Sequence, residues 1–112
     1  MLTESNLLDR AFHALADSTR RAMVERLVGQ PMTVSELAAP FRMSLPAVMQ
    51  HLTVLETAGL VRSHKAGRVR TCRIDPVAMR LIEHWMLDRS RDWEGRFDKL
   101  DEYLKTMEGK EP

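Results

Sequence analysis

The stretch TVSELAAPFRMSLPAVMQHLTVLETAGLVRSHKAGRVRTCRIDP, residues 33–76, carries the pattern from which the fold is predicted. Thr33 and Glu36 have the spacing of a capping box, which opens a short helix. Ser44 and Pro46 open a second helix, because a serine hydroxyl caps free amides and proline lacks an amide proton that the first turn leaves unpaired. Two short helices joined by a tight connection are typical of a helix-turn-helix.

Two β-prone runs follow the second helix, at residues 60–65 and 68–74. The short segment between them contains Gly67, so the runs are predicted to form a hairpin. A basic hairpin that follows a helix-turn-helix is the wing of a winged helix. Upstream of both, residues 6–16 place apolar side chains three and four residues apart, as an amphipathic helix does, and the following stretch repeats the pattern until residues 29–31 end it. The apolar residues of that second stretch are Ala22, Met23, Leu27 and Val28.

The predicted fold is therefore mainly helical with a small β-hairpin: a winged helix-turn-helix of four helices, the hairpin and a long last helix. A single domain is expected over residues 1–112, with the helix-turn-helix at 33–58 and the wing at 60–74. The helices at 6–16 and 76–108 are expected to be dimerisation helices that flank this centre.

Composition favours a globular chain, since 44% of the 112 residues are hydrophobic and 29% are charged. No apolar run approaches the roughly 18 residues that indicate a membrane span, so no membrane partner is expected. The opening residues MLTESNLLDR lack the basic start and apolar centre of a secretory signal. A single cysteine, Cys72, cannot form an internal disulfide, which indicates a reducing compartment. The expected location is the cytoplasm.

Positive charge is concentrated in the middle of the chain. Residues 41–75 carry a net charge of +4, whereas residues 1–40 carry −1 and residues 76–112 carry −2. Such a segment is either a solvated basic loop or an electrostatic footprint for a polyanion such as DNA. Charge alone does not decide between these two interpretations.

The last helix has a heptad pattern. Large apolar residues recur every seven positions, and Ile82, Phe97 and Leu104 add to the same seam; the recurring residues are Met79, Met86, Trp93, Leu100 and Met107. A helix of about 31 residues would extend about 46 Å, longer than so small a domain can cover. The helix could pack only on its own domain, but a heptad that outruns its core predicts a seam with a second chain.

The sequence resembles the ArsR family of winged-helix repressors over nearly the whole chain. Residues 12–21, FHALADSTRR, are similar to the opening of the family, and residues 33–38, TVSELA, to its first helix-turn-helix helix. Residues 44–52, SLPAVMQHL, are similar to the family's recognition helix, and Leu55 with residues 58–61, AGLV, is similar to the segment that leaves it. Gly67-Arg68 matches the tip of the family's wing, and Ile74-Asp75-Pro76 matches its end. The resemblance implies a homodimeric bacterial repressor that binds an inverted-repeat operator of double-stranded DNA and dimerises through its first and last helices.

The candidate site residues follow from the fold and the resemblance. Candidate DNA contacts on and before the recognition helix are Arg42, Ser44, Leu45, Ala47, Met49, Gln50 and His51, and those on the wing are Lys65, Arg68 and Arg70. Candidate dimer contacts are Leu8, Phe12, Met86, Trp93, Phe97, Leu100 and Leu104.

The recognition helix departs from the family pattern. The family often has glutamine, serine and a basic residue where this chain has Leu45, Met49 and Gln50. Gln50 could pair bidentately with adenine, and the two apolar side chains could contact thymine methyl groups. Simple packing is the alternative for Met49, and His51 either contacts phosphate or supports the turn.

No metal or other cofactor is expected. Many members of the family sense soft metals through cysteines on the first helix of the pair, but residues 33–39 hold no thiol here. The last helix, with Trp85, Trp93-Glu94 and Glu102-Tyr103-Leu104, resembles a cysteine-free branch of the family. His84 and Asp88 lie four residues apart on that helix and therefore on one face of it. This spacing fits either a zinc site or a solvated ion pair. Cys72 is either a redox handle or, more simply, a buried thiol.

The predicted function is DNA-binding transcriptional regulation, with any small-molecule inducer unspecified. The alternative is a winged-helix protein-interaction module without specific DNA binding, which the apolar Leu45 and Met49 keep open. An enzyme is not expected, because the sequence contains no recognisable nucleophile with its base, phosphate-binding loop or paired-carboxylate site.

Overall fold

The computed structural model describes residues 4–108. Parts of two predictions lie outside the described residues: the first three residues of MLTESNLLDR, and residues 1–3 and 109–112 of the expected domain. The helices are α1 Glu4–Leu15, α2 Ser18–Gly29, α3 Val34–Ala38, α4 Leu45–Thr57 and α5 Pro76–Glu108, and the strands are β1 Met32–Thr33, β2 Val61–Ala66 and β3 Val69–Ile74. A mainly helical chain with an antiparallel hairpin after the helix-turn-helix confirms the predicted fold class.

The short strand β1 is the one element that sequence reasoning did not predict. Its two residues pair antiparallel with β3, Met32 opposite Cys72 and Thr33 opposite Thr71, so that the sheet has the order β1-β3-β2. A strand of two residues is too short to show an alternating pattern. It forms because the backbone of β3, on the side away from β2, provides hydrogen-bonding partners for these two residues.

Helix ends follow the predicted caps. The Thr33 hydroxyl accepts from the Glu36 amide at 3.1 Å, and the Glu36 carboxylate accepts from the Thr33 amide at 3.3 Å, which completes the capping box of α3. The Ser44 hydroxyl accepts from the amide of Ala47, the third residue of α4, at 3.3 Å. Beyond α4, Gly59 has a φ of +77°, a conformation in which a side chain is strained, and the helix ends there.

The core lies between the inner face of α4 and the elements that pack on it. Val48, Leu52 and Leu55 of α4 are fully buried with side chains from α2, α3 and the hairpin; these are Met23, Leu27, Leu37, Leu60, Val61 and Cys72. Burial of each such leucine stabilises the fold by about 1.5–3 kcal/mol. Because one face of α4 is committed to the core, its opposite face is free to meet a ligand.

The chain divides into two compact units, the first ending at Ile82 and the second beginning at Glu83. The first unit contains the core, the sheet and the helix-turn-helix. The second unit is helical to Glu108, and most of its large apolar side chains are exposed. Of the helices in the described residues, none is long and apolar enough to cross a membrane.

Candidate nucleic-acid interface

The exposed face of α4 begins at its first turn. Leu45 is 56% exposed although it opens a helix whose Val48 is fully buried. Ser44 and Gln50 are exposed, and Ala47 is half-buried. This face therefore presents short polar, amide and apolar groups, which are the groups that read base edges in a major groove.

A surface groove of about 490 Å³ joins this face of α4 to the wing. Five of the predicted DNA contacts line it, two from α4 and three from the hairpin: Leu45, Met49, Lys65, Arg68 and Arg70. The structure thus brings together residues that are up to 25 positions apart in the sequence. Arg42 lies outside this lining, exposed in the connection between α3 and α4.

Sequence reasoning missed four residues that line the same groove. Thr33, Val34 and Ser35 reach it from the start of α3, and Val69 reaches it from the wing. Val69 is 51% exposed, which is unusual for a valine on a strand and marks the apolar side of the groove. In the sequence, the capping box at Thr33 indicates only that a helix begins there. In the structure, this helix start directs the side chains of Thr33, Val34 and Ser35 toward the groove.

The wing turn sets the position of Arg68. Ala66 pairs with Val69, which leaves Gly67 and Arg68 as a two-residue loop. Gly67 has a φ of +63° and Arg68 does not have a positive φ, the pattern of a type II′ turn. Arg68 is therefore held at the tip of the hairpin, where its guanidinium is exposed.

The cations of the wing are not equivalent. Lys65 and Arg68 are exposed and form no ion pair with any of residues 4–108. Arg70 instead donates to the Ser63 hydroxyl at 2.7 Å, and that hydroxyl donates to the Glu56 carboxylate of α4 at 2.6 Å. Arg70 thus ties the wing to α4, while the other two cations are available for phosphates.

His51 is placed differently from the other α4 candidates. Its Nδ1 lies 3.3 Å from a guanidinium nitrogen of Arg20 and 4.0 Å from an Asp17 carboxylate oxygen, so the ring faces the start of α2. Of the two roles predicted for this histidine, the geometry matches support of the helix rather than an outward contact.

Arg20 and Asp17 hold the junction of α1 and α2. The Asp17 carboxylate accepts from the Arg20 amide at 3.0 Å, and this hydrogen bond is the main cause of the lowered pKa of that carboxyl. The Arg20 side chain donates to the carbonyl oxygens of Ala14 and His13, at 2.7 and 3.4 Å, at the end of α1. The segment that carried part of the family resemblance therefore connects α1, α2 and α4.

The base of the wing is fixed by an ion pair. Arg62 Nε donates to the Asp75 carboxylate at 2.7 Å, and the same carboxylate accepts from the Val77 amide at 3.0 Å in the first turn of α5. The Val77 hydrogen bond is the main cause of the lowered pKa of Asp75, and Arg62 adds to it. Asp75 is only 7% exposed, so this carboxylate joins β2, β3 and α5 from inside the fold.

Cys72 is fully buried in the central strand. Burial raises the pKa of its thiol, and the nearby Glu56 carboxylate raises it further. A thiol with these properties is a poor nucleophile and a poor metal ligand. The interpretation of Cys72 as a buried core residue is confirmed.

The metal candidates on α5 do not form a cluster. His84 is exposed, and Asp88 lies 3.9 Å from Arg91 in an i,i+3 ion pair. Residues 4–108 contain no group of three or more histidine, cysteine or carboxylate side chains that could hold a metal ion.

The candidate dimer contacts lie on the two flanking helices. Leu8 is half-buried and Phe12 is 38% exposed on α1. The α5 candidates are all exposed: Met86, Trp93, Phe97, Leu100 and Leu104.

Comparison with known proteins places the chain among transcriptional regulators. A family model described as a helix-turn-helix domain matches residues 15–64. The HTH-type transcriptional regulator Rv2034 of Mycobacterium tuberculosis (strain ATCC 25618 / H37Rv) is 48% identical over 85 residues, which cover 76% of this chain and 77% of that protein. The transcriptional repressor SdpR of Bacillus subtilis (strain 168) is 28% identical over 81 residues, which cover 72% of this chain and 90% of that protein.

A solved structure agrees with these relatives. The crystal structure of an ArsR family transcriptional regulator, RHA00566, matches with a TM-score of 0.76 and 47% sequence identity, over 84% of this chain and 97% of that chain. These proteins carry the names of regulators and not of enzymes. Together with the winged helix-turn-helix and its basic groove, they show that the chain belongs to the ArsR family of DNA-binding transcriptional regulators.

Proposed function

We propose that this regulator is a homodimeric repressor that binds an inverted-repeat operator, with α4 in the major groove and the wing on the DNA backbone. The observation that carries the proposal is the groove between α4 and the wing, since it combines candidate base readers with cations that form no ion pair within residues 4–108. The interaction-module alternative explains the apolar Leu45 and Met49, but it gives no role to Lys65 and Arg68.

The proposal divides the site into two kinds of contact. Gln50 reads adenine through its amide, and Leu45 and Met49 contact thymine methyl groups. Arg42, Lys65 and Arg68 contact phosphates, which fix position but carry no sequence information. Ser44 and Ala47 approach the bases at the start of α4, where the helix enters the groove.

His51 and Arg70 are positioning residues in this proposal. His51 faces Arg20, and Arg70 is bonded to Ser63, so both hold the reading surface in place. Part-buried hydrogen bonds of this kind keep a recognition surface preorganised.

Two observations support the dimer: the exposed apolar residues of α5 and the two-fold symmetry of an inverted-repeat operator. A single winged helix reads one half-site, and two copies related by symmetry read an inverted repeat. The SdpR relative is a repressor, and we extend that sense of regulation to this chain. We further place the protein in the cytoplasm, where the chromosome lies and where Cys72 remains reduced.

The test uses the DNA upstream of the protein's own gene, a random duplex of equal length, and salt titrations of binding to both. Each lost phosphate contact acts twice in a dimer, and each neutralised phosphate contributes about −0.9 to the slope of log affinity against log salt. Arg68→Ala is therefore expected to flatten the slope by roughly 1.8 on both DNAs. Gln50→Ala is expected to keep the slope and to cost about 1–3 kcal/mol per half-site on the operator only.

Two results would count against the proposal. If Arg68→Ala keeps the slope of the wild type, the hairpin does not contact DNA. If the wild type binds the upstream and random duplexes equally at every salt concentration, the interaction-module alternative is favoured. Lys99→Ala, which removes an exposed cation from α5, is the matched control and is expected to leave both slopes unchanged.

A further inference from the structure

A surface cavity of about 470 Å³ lies between α1 and the C-terminal half of α4. Cavities of this size are typical of small-molecule sites. Its lining residues on α1 are Asp9, Arg10 and His13, which lie three and four positions apart and therefore on one face of that helix. The cavity and the groove between α4 and the wing have different lining residues, so they are separate surfaces of the molecule.

The α4 side of the cavity is mainly apolar. Val54 is half-buried and packs against the hydrophobic core, and Ala58 is buried. Both side chains are short, so this wall leaves room that longer side chains would fill. Thr57 lies at the exposed edge of the wall, and its hydroxyl forms no hydrogen bond with any of residues 4–108. The cavity can therefore take the apolar part of a small molecule.

Two opposite charges line the α1 side of the cavity. Asp9 and Arg10 are both exposed, and neither forms an ion pair with any of residues 4–108. A carboxylate ligand would gain from Arg10 but lose at Asp9, and an ammonium ligand would do the reverse. A neutral polar group that both donates and accepts hydrogen bonds suits both side chains, since the carboxylate accepts and the guanidinium donates. The lining thus favours a ligand with a neutral amide or hydroxyl end.

The cavity adjoins the contacts that hold α4. His13 lines it, and the carbonyl oxygen of His13 accepts from Arg20 at 3.4 Å. Arg20 also approaches the His51 ring of α4 at 3.3 Å. Val54, on the other wall, lies four residues after Gln50, the proposed reader of adenine. A molecule in the cavity would therefore touch α1 and α4 beside the side chain that connects them.

We propose that this cavity binds a small, neutral, amphipathic molecule and that the bound molecule is an effector of DNA binding. Its apolar body lies against Val54 and Ala58, and its amide or hydroxyl end lies between Asp9 and Arg10. Because the two walls belong to different helices, the molecule shifts α4 relative to α1 and moves the reading surface out of its preorganised position. The effector role rests on the operator binding proposed above, whereas the binding site does not.

The site is tested by titrating isotopically labelled full-length protein with octanamide and following its amide signals by two-dimensional NMR. Octanamide combines an apolar chain with a neutral end that donates and accepts. Signals of residues 9–13 and 53–58 are expected to shift, with a dissociation constant of about 1 mM or below, the strength that a ligand of this size attains. An absence of shifts in both segments, or shifts confined to the wing or to α5, overturns the site.

Octanoate and octylamine separate recognition of the polar end from unspecific apolar binding. Each is expected to bind the wild type at least about fivefold more weakly than octanamide, since each meets one like charge. Asp9→Asn is expected to remove this penalty for octanoate, and Arg10→Gln is expected to remove it for octylamine. Equal binding of the three compounds to the wild type, or an unchanged order in both variants, overturns the assignment of a neutral polar end.

A variant that fills the cavity gives a further readout. Thr57→Phe adds a ring at the exposed edge of the wall and is expected to weaken octanamide binding at least about tenfold. Glu25→Phe is the matched control, because it adds the same ring to an exposed position of α2 outside the lining, and it is expected to leave binding unchanged. If octanamide does not bind and Thr57→Phe instead weakens self-association in sedimentation, a second copy occupies the cavity and the inference is overturned.

The effector role has its own test, which separates it from the proposed function. Saturating octanamide is expected to weaken operator binding at least about fivefold, and operator DNA must then weaken octanamide binding by the same factor. Octanamide that binds in the cavity without changing operator affinity overturns the effector role. A protein that binds octanamide but does not distinguish operator from random DNA overturns the proposed function and leaves the binding site standing.

Discussion

Arg20 makes contacts with three helices. Its side chain bonds two carbonyl groups at the end of α1 and approaches the His51 ring of α4, while its amide is capped by Asp17. A cation here also suits the partial negative charge at the end of a helix. One side chain thus sets the relation of α1, α2 and α4.

Arg20→Ala is expected to lower the free energy of unfolding by about 1–3 kcal/mol, because the part-buried hydrogen bonds to the Ala14 carbonyl and the His51 ring are lost. Arg21→Ala is the matched control, since Arg21 also donates to an α1 carbonyl, that of Leu15 at 2.7 Å, but on the exposed side. Urea unfolding of the two variants measures the difference. Equal, small losses would show that the junction does not depend on Arg20.

Asp75 gives the stability a defined pH dependence. Its pKa in the folded chain is lowered by the Val77 amide and Arg62, so folding favours the charged form. The stabilisation is therefore complete above the unfolded value of about 3.9 and is lost as the pH falls through the folded value. Asp75→Asn is expected to cost about 1–2 kcal/mol near pH 7.

The same reasoning fixes how the two proteins should compare in acid. The stability difference between wild type and Asp75→Asn is expected to stay constant above about pH 5 and to shrink as the pH falls below about 4, toward the lowered pKa of the folded Asp75 carboxyl. Asp98→Asn, an exposed position on α5, is expected to show no such trend. A difference that does not shrink below about pH 4 would contradict the role given to the Asp75 carboxylate.

At the residue scale, the sequence predicted short-range features well. The capping residues Thr33 and Ser44 act over three positions, so their partners are visible in the sequence itself. The orientation of His51 was not predictable, because its partners come from α2, about 31 positions away. The bond from Arg70 to Ser63 joins two neighbouring strands, and it too appeared only in the structure.

At the scale of elements, two glycines predict opposite effects of one substitution. Gly67 has a positive φ at the wing turn, so Gly67→Ala is expected to destabilise the hairpin by about 1 kcal/mol and to weaken DNA binding. Gly95 lies inside α5 with open space around it, and Gly95→Ala is expected to stabilise that helix by up to about 1 kcal/mol. Thermal unfolding by circular dichroism measures both.

A shift of the melting temperature in the same direction for the two alanines would contradict this account. The prediction can be made because a Cβ at either position meets no atom within 4 Å. Backbone conformation alone then decides the sign of each effect.

The elements themselves were predictable to within about two residues at most ends. The hairpin and the caps carry strong local signals, and α5 carries a sustained heptad. Strand β1 lacked any such signal, because Met32 and Thr33 become a strand only by pairing with Cys72 and Thr71. Its pairing in turn brings the start of α3 to the groove, which is why three groove residues were missed.

At the scale of the whole molecule, we expect the purified protein to hold no stoichiometric transition metal. Helix α3 offers no thiol, the Cys72 thiol is buried, and Asp88 is engaged by Arg91. Elemental analysis after a chelator wash is the measurement. About one zinc per chain would contradict the prediction and direct attention to His84.

The reading surface as a whole was predicted in part. The sequence located the positive charge in residues 41–75, but it did not show which of these cations are engaged in hydrogen bonds with the rest of the chain. The structure shows that Arg62 and Arg70 serve the hairpin, whereas Lys65 and Arg68 remain unpaired within residues 4–108. Such a division depends on three-dimensional neighbours and cannot be read from charge counts.

The two faces of α4 also bear on how a family of regulators diversifies. Val48, Leu52 and Leu55 keep the chain folded, whereas Leu45 and Gln50 face outward and contribute little to the core. After a gene duplication, outward positions can therefore drift to new operators while the duplicated protein stays stable. Met49 is the exception, because it lines the groove and also packs against the core. A substitution of Met49 that changed the DNA preference would therefore also change the stability of the fold.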